Sequence, residues 1–330
     1  MTLFFPVDDA SRVAEVRRAG ERIAREEDLD TGSAIPNVSL VITEICTNLM
    51  KHAGGGEVFL SPLSARSGPG IEILAVDGGP GISDINRSFA DGYSTTDTAG
   101  TGLGAITRRS TEFDIYSQPG KGTVLVARIQ KSQAAATRVG AVLKPIRGEE
   151  VCGDGWAFAQ PSGALALIVA DGLGHGVMAA QASAEAIAAF RRCVDYAPAT
   201  VLAKVHVSAR STRGSAVAVA HVDPSKAKVR YAGIGNISGV LIGGNKPVLM
   251  ISHNGTAGYH SPRLQEFEYP LPSPALIIMH SDGLHTSWNL DDYPGLRRRD
   301  PSVIAGVLYR DAARNRDDVC VTVAKIGESM

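Results

Sequence analysis

The amino-acid sequence predicts a two-domain α/β protein, and three features carry that expectation. At 330 residues the chain is long enough for two domains of ordinary size, each with its own buried core. Its first part mixes helical apolar spacing, β-rich runs and glycine-rich turns. Its second part alternates short apolar runs with few helices, and aspartates stand at the ends of several of those runs.

Composition narrows the function classes. Hydrophobic residues make up 44% and charged residues 20%, the balance of a soluble globular protein. A net charge of −1 supplies no basic stripe, which argues against nucleic acid as a main partner. No apolar stretch is long enough to span a bilayer, and MTLFFPVDDASR lacks the charged and apolar regions of a signal peptide, so no membrane partner and a cytoplasmic location are expected. Cys46, Cys152, Cys193 and Cys320 form no CxxC pair and read as reduced thiols.

Taken in order, TLFFPV suits an edge strand, because Pro6 is tolerated there. Val13, Val16, Ala19 and Ile23 repeat at helical spacing across 9–29. A second helix is expected over 37–53, started by Pro36 and Asn37 and stopped by Gly54-Gly55-Gly56. EVFLSPLS and GIEILAVDGG are strands, GTGLGAITRRSTE opens with glycines and continues as a helix, and FDIYSQPGKGTVLVARI is a hairpin around Pro-Gly-Lys-Gly. Patterning drops over 131–144, which places a linker there and a boundary near residue 135. The expected domains are 1–135 and 136–330. Beyond the boundary, helices are expected over 176–190, 198–208 and 302–314, among strands of a largely antiparallel sheet.

Two sets of residues carry chemistry. On the second helix Glu44, Asn48, Lys51 and His52 recur at spacings of three and four, which puts them on one face. A solvated polar stripe would look the same, but two motifs follow: Asp77-Gly78-Gly79-Pro80-Gly81-Ile82 directly after a strand, and Gly100-Thr101-Gly102-Leu103-Gly104 directly before a helix. Glycines there permit close backbone approach, and a helix N-terminus offers free N–H groups to phosphate oxygens. There is no GxxxxGK[ST] P-loop and no Rossmann fingerprint after a first strand. In the second part, Asp154 in CGDGW, Asp171 in VADGLGHG, Asp282 in HSDGLH and Asp318 in RDDVCVTV sit at or near strand ends. One Asp-Gly alone reads as a turn. Several such tips converging would make an all-oxygen site for Mg²⁺ or Mn²⁺. Asp317 is the weaker choice, since adjacent side chains of an extended chain point to opposite sides.

The order ExxxNxxKH, DGGPGI, GTGLG, GKGTV over roughly 5–130 resembles the GHKL ATPases, nearest to the anti-sigma-factor and switch-protein serine kinases of the RsbT kind. The resemblance implies a GHKL (Bergerat) α/β sandwich with ATP and Mg²⁺. Asp77 would take the adenine amino group in a pocket shaped by Gly79 and Gly81, with Thr123 lining it. Asn48 would hold Mg²⁺, Gly102 and Gly104 would wrap the phosphates, and Lys51 would belong to the same cofactor site. Glu44, one turn before Asn48, is placed to act as the base for the incoming hydroxyl. Too few residues precede the Asn48 helix for the helical hairpin and acceptor histidine of a histidine kinase, so serine transfer is expected.

DGLGHG, SDG and DD, in that order over roughly 138–330, resemble the PP2C-like serine/threonine phosphatases, nearest to their bacterial SpoIIE/RsbX branch. The resemblance implies an α-β-β-α sandwich and two Mn²⁺ or Mg²⁺ held by Asp154, Asp171, Asp282 and Asp318, with Asp171 bridging and the Gly172 carbonyl as a further ligand. Such hydrolysis needs no covalent phospho-enzyme, in keeping with the lack of a CxxxxxR motif or nucleophile elbow. His175 is either a proton donor to the leaving oxygen or a loop-closing residue. Asn236 is either a family site position or a turn residue, and Arg147 is either a phosphate contact or, the simpler reading, an exposed ion-pair former. Cys320 stands where the family usually carries Thr.

Together these imply a bifunctional regulator, a protein-serine kinase joined to a phosphoserine phosphatase. Its implied partners are STAS-type anti-sigma-antagonist or stressosome switch proteins, with a downstream phosphatase or sigma-factor regulator as a further candidate. The alternatives are a phosphatase governed by a nucleotide-sensing, non-transferring domain, and a non-enzymatic sigma-factor or switch-protein binder. Intact Glu44 favours the kinase over the sensor, and the aspartates favour catalysis over a scaffold.

Overall fold

The computed structural model describes residues 2–29, 32–63, 68–85, 102–131, 139–244, 246–259 and 264–327. The chain forms two compact units, one of 1–138 with 290–310, the other of 139–289 with 311–330. The single expected boundary near residue 135 therefore differs from the observed division. A stretch late in the sequence supplies apolar cover to the first unit, and sequence order carries no sign of it.

The first unit is built on one antiparallel sheet in the order β1 (Leu3–Val7), β2 (Gly56–Pro62), β3 (Gly70–Val76), β5 (Gly122–Gln130), β4 (Glu112–Gln118). One face packs on α1 (Ala10–Glu26), α2 (Ala34–Asn48) and α3 (Gly102–Arg109). Alternate residues Val58, Leu60, Ile71, Ile73, Ala75, Leu125, Ala127 and Ile129 join Val16, Val38, Ile42 and Ile45 in one core. Asp9 caps α1 by accepting the Ser11 N–H at 2.7 Å. α2 starts at Ala34, three residues before the expected start, and its last turn is not α-helical. Leu49–Ala53 forms a π turn closed by Gly54 in the left-handed region. Lys51 and His52, both exposed, thus sit on a turn wound differently from the one that carries Glu44 and Asn48.

The intervening residues of the sheet point the other way, and 290–310 covers them. Arg128, buried in that face, donates to Glu72 at 2.9 Å, to Glu112 at 2.7 Å and as a fork to both oxygens of Asp300 at 2.7 and 2.8 Å. Ser302, at the start of α6 (Pro301–Ala312), donates to Glu72 at 2.8 Å. Gly306 faces Val124, where a Cβ would come within 2.7 Å of its side chain. Tyr309 meets Phe59 edge-on at 5.6 Å between ring centroids.

The second unit is a sandwich of two antiparallel sheets. The first runs β13 (Phe267–Pro270), β10 (Lys228–Ile234), β9 (Ser215–Asp223), β8 (Leu165–Gly172), β7 (Asp154–Ala159). The second runs β12 (Val248–Met250), β11 (Ser238–Ile242), β14 (Ala275–His280), β15 (Val319–Ile326), β6 (Val139–Lys144). Leu167, Val169, Ala218 and Ala220 meet Ile277, Met279, Cys320 and Ala324 between the sheets. Ile168, Ala170, Val217 and Val219, on the opposite face of the first sheet, pack on α4 (Val177–Arg191) and α5 (Pro198–Ser208). Part of the expected linker is strand: Val139–Lys144 pairs with β15, its apolar Val139 and Val142 buried although its composition is weak. Residues 132–138 of that expectation lie outside the described residues.

Arg128 neutralises a Glu72 that is 1% exposed. Arg128→Ala should cost about 3–5 kcal/mol, the scale for stranding a buried charge, read as a lowered denaturation midpoint. Segment 1–138 on its own should melt well below the full chain, because its outer sheet face would be bare. Equal melting temperatures would show that 290–310 contributes nothing to the unit.

Candidate functional site

In the second unit the carboxylates gather at one end of the sandwich because strand pairing brings them there. Asp154 opens β7 and stands directly opposite Asp171 of β8. On the other sheet His280 pairs with Val321, so the loop carrying Asp282 and the approach carrying Asp317 and Asp318 emerge side by side. The two sheets are tied across this end: the Ser281 hydroxyl donates to Asp154 Oδ2 at 2.6 Å and accepts the Cys320 N–H at 3.0 Å. Ser281 is wholly buried, and sequence reasoning missed it, although it precedes Asp282 in SDG. Asn236 donates to Asp282 Oδ2 at 2.8 Å, which places it at the site rather than in a plain turn. Gly172, after Asp171, lies so close to the start of α4 that a Cβ would run into the Ala179 carbonyl.

The adjacent aspartates divide their roles contrary to expectation. Asp318 is buried, and each of its oxygens accepts a backbone N–H, from Ile146 at 2.8 Å and Gly153 at 2.9 Å. It pins two loops. Asp317 is exposed, and its charge adds to the burial that chiefly raises the proton affinity of Asp154, Asp171, Asp282 and Asp318. The reason is local: β15 begins only at Val319, so the strict alternation assumed for an extended pair does not govern 317–318.

Burial, then repulsion from Asp282, Asp317 and Asp318, pushes Asp171 up to about 7. Burial and Asp171 hold Asp154 well above the usual carboxylate range, against the Ser281 hydrogen bond. Burial and Asp317 raise Asp282, opposed by Arg314 and Asn236. A group of oxygen donors that repel one another fits divalent cations, which would replace repulsion with attraction. The side chains are not preset for this: among the described residues no three His, Cys, Asp or Glu form a ready ligand cluster. Asp154 rests on Ser281 and Asp318 on backbone amides. His175, exposed, is 2.6 Å from Glu149, a partner that no sequence motif singles out. Arg147 is exposed.

In the first unit Asp77 follows β3. Its Oδ1 accepts the Gly79 N–H at 2.8 Å and the Thr123 N–H at 3.1 Å, and burial raises it against those bonds. The loop is built for glycine. Gly81 has φ +72 and lies against the Gln118 carbonyl, Gly79 lies against Ala53, and Gly122 against Asp77. Beneath them the Thr123 and Ser117 hydroxyls are 2.9 Å apart, and Ser117 accepts the Ile82 N–H at 2.8 Å. Sequence reasoning missed Ser117 as well; only the β4–β5 register, Ser117 opposite Thr123, places it there. At the other end Gly102 starts α3 beside Asn48, whose Oδ1 would be 3.2 Å from a Cβ there. Gly104 is buried in the same helix, and Glu44 is half-buried one turn before Asn48. Gly100 and Thr101 lie outside the described residues. A cradle that Cβ atoms would fill, with a helix start beside an amide side chain, fits a nucleoside triphosphate and its cation.

Comparison with known proteins decides the family. Residues 161–327, half of the chain, match the family model for stage II sporulation protein E. The chain belongs to the stage II sporulation protein E family. Residues 5–129 match the histidine kinase-like ATPase domain, and 115 residues, 35% of this chain, are 32% identical to 86% of the serine/threonine-protein kinase RsbT of Bacillus subtilis (strain 168). A solved chain described under "The bacterial stressosome: a modular system that has been adapted to control secondary messenger signaling" is 28% identical, with a TM-score of 0.54 over 57% of this chain and 98% of that one. RsbX in complex with magnesium, 16% identical with a TM-score of 0.50 over 56% of this chain and 92% of its own, shares the fold. This member of the family is a partner-switching regulator and an enzyme, with an RsbT-like kinase-type domain before a PP2C-type phosphatase domain. Domains of these two types generally use ATP and divalent metals. No helix among the described residues is long and apolar enough to cross a membrane.

Carboxylates raised above their unfolded values stabilise the metal-free protein fully below pH about 4, and that contribution fades as pH rises through the folded value, about 7 for Asp171. The metal-free protein should therefore lose melting temperature between about pH 4 and 7, and saturating Mn²⁺ should raise it most above that range, at about pH 8. A flat metal-free profile would remove the repulsion argument.

Proposed function

We propose that the chain is a bifunctional enzyme of a bacterial partner-switching pathway, an ATP-dependent protein-serine kinase and a metal-dependent phosphoserine phosphatase acting on STAS-type switch proteins in the cytoplasm. The observation that carries the phosphatase half is the gathering of Asp154, Asp171, Asp282 and Asp317 at one end of the sandwich, mutually repelling. These four, with the Gly172 carbonyl, would hold two Mn²⁺ or Mg²⁺, Asp171 bridging, and Asp318 would fix the loops that carry them. Two such cations supply an activated water and neutralise the phosphate's charge. Ser281 and Asn236 would then orient Asp154 and Asp282, and His175, in contact with Glu149, would donate a proton to the departing serine oxygen.

The kinase half rests on position. Asp77 would offer its other carboxylate oxygen to the adenine amino group, its Oδ1 accepting two backbone N–H groups. Asn48 and the start of α3 would meet the phosphates and Mg²⁺, and Glu44 would take the proton of the incoming serine hydroxyl. RsbT, similar over nearly all of this domain, is by its name a serine/threonine-protein kinase. The stressosome description of one structural relative supports a switch-protein substrate.

Asp171→Asn should lower Mn²⁺-dependent hydrolysis of a phosphoserine protein by several kcal/mol of barrier, about 10³-fold or more, with an unchanged circular dichroism spectrum. Undiminished hydrolysis would sink the metal assignment. With that variant silencing the phosphatase, label from γ-labelled ATP should pass to a STAS-domain serine, and adding Glu44→Gln should slow transfer about 10²–10⁴-fold while ATP binding persists. If no label moves although calorimetry shows ATP bound, the domain is a sensor.

A further inference from the structure

The loop after Asp171 borders a second feature that the chemistry above does not use. A cavity of about 400 Å³ opens beside it, lined by Leu173, Gly174, Arg213, Thr256 and Tyr259. Three segments distant in sequence build it, and their backbones hold it rigid. The Leu173 N–H donates to the Gly214 carbonyl at 3.0 Å, Ser215 and Ala257 exchange N–H···O bonds at 3.2 and 2.9 Å, and the Tyr259 hydroxyl donates to the Thr212 carbonyl at 3.3 Å. Gly174 has φ +85, a backbone conformation that favours glycine, and Arg213 Nη1 lies 3.4 Å from where its Cβ would be, so the guanidinium lies over the loop at contact distance.

Two properties of this cavity point to a ligand. Arg213 is exposed and has no hydrogen bond or ion pair among the described residues, so a five-donor cation faces the cavity without an anion. Around it the surface is apolar where solvent would select otherwise: Leu173 is 51% and Tyr259 68% exposed. A bare phosphate would use the cation and leave the apolar wall idle. A polypeptide with an acidic side chain beside an apolar one uses both. Position agrees, since Leu173 and Gly174, which line the cavity, directly follow the Asp171-Gly172 pair in the chain.

Resting on the phosphoserine-protein reading, we propose that this cavity receives the substrate polypeptide flanking the phosphoserine, Arg213 pairing with a carboxylate of that segment while Leu173 and Tyr259 take its apolar neighbour. Arg213 is then a specificity-determining residue that leaves the hydrolytic step alone. A solvent-facing cation of this kind alters affinity modestly and shapes encounter more than chemistry.

The test uses the full chain with Mn²⁺ and three probes: p-nitrophenyl phosphate, a phosphoseryl peptide with acidic residues on both sides, and the same peptide with those residues neutral. The wild type should favour the acidic peptide about three- to ten-fold in kcat/KM, chiefly through KM. Arg213→Ala should erase that preference, Arg213→Lys should restore part of it, and hydrolysis of p-nitrophenyl phosphate should be unchanged in both. No wild-type preference, a preference that survives Arg213→Ala, or an equal loss on p-nitrophenyl phosphate would overturn the proposal. A wild type active on p-nitrophenyl phosphate alone would overturn it together with the phosphoserine substrate. A wild type inactive on all three would instead strike at the phosphatase reading itself.

Discussion

Carboxylates that repel one another can be held at the rim of an apolar core only by a scaffold that cannot relax, and the second unit is arranged around that constraint. Asp154 and Asp171 face each other across one antiparallel ladder, and Asp282 and Asp317 approach from the other sheet. Spreading apart would relieve the charges, but that would break the core packed between the sheets and the Ser281 bridge that ties them at this end. Asp318 adds to the restraint by clamping Ile146 and Gly153. The site is thus strained electrostatically and stiff mechanically, the state from which binding of divalent cations gains most.

The nucleotide unit solves a different problem, bringing bare backbone close to a ligand. Its devices are conformational: a left-handed Gly81, glycines packed where a Cβ has no room, and a π turn that ends α2 just after Asn48. The sheet that supports these devices has two apolar faces. One is covered by the helices that carry the site. The other is covered by 290–310, with the buried Arg128 ion-pair group fixing the start of α6. The ATPase unit therefore depends on a stretch encoded within the phosphatase half of the sequence.

Much of the fold and of both sites is legible in the chain of residues alone. The strand that leads into Asp77, the strand that carries Asp171 near its end, the β4–β5 hairpin and the helix 198–208 follow from local periodicity and turn chemistry. The early residues of α2 and the strand at 139–144 escape such reasoning because tertiary pairing, not composition, decides them. Ser117, Ser281 and Glu149 carry no motif strong enough to single them out. Each matters only through a neighbour from another segment.

By itself the sequence determined the chemistry available to this protein: which side chains are carboxylates, amides or glycines, and where each stands relative to the strand or helix beside it. These are short-range properties, set by backbone sterics and apolar periodicity within a few residues. Only the tertiary structure decided that Asp317 stays exposed while Asp318 is spent on backbone amides, that Asn236 meets Asp282, that Arg213 lies over the Gly174 loop, and that 290–310 belongs with the first unit. The physical reason is the same for each: these are pairings between residues far apart in the chain, selected by which apolar faces must be covered and which buried polar atoms must find a partner.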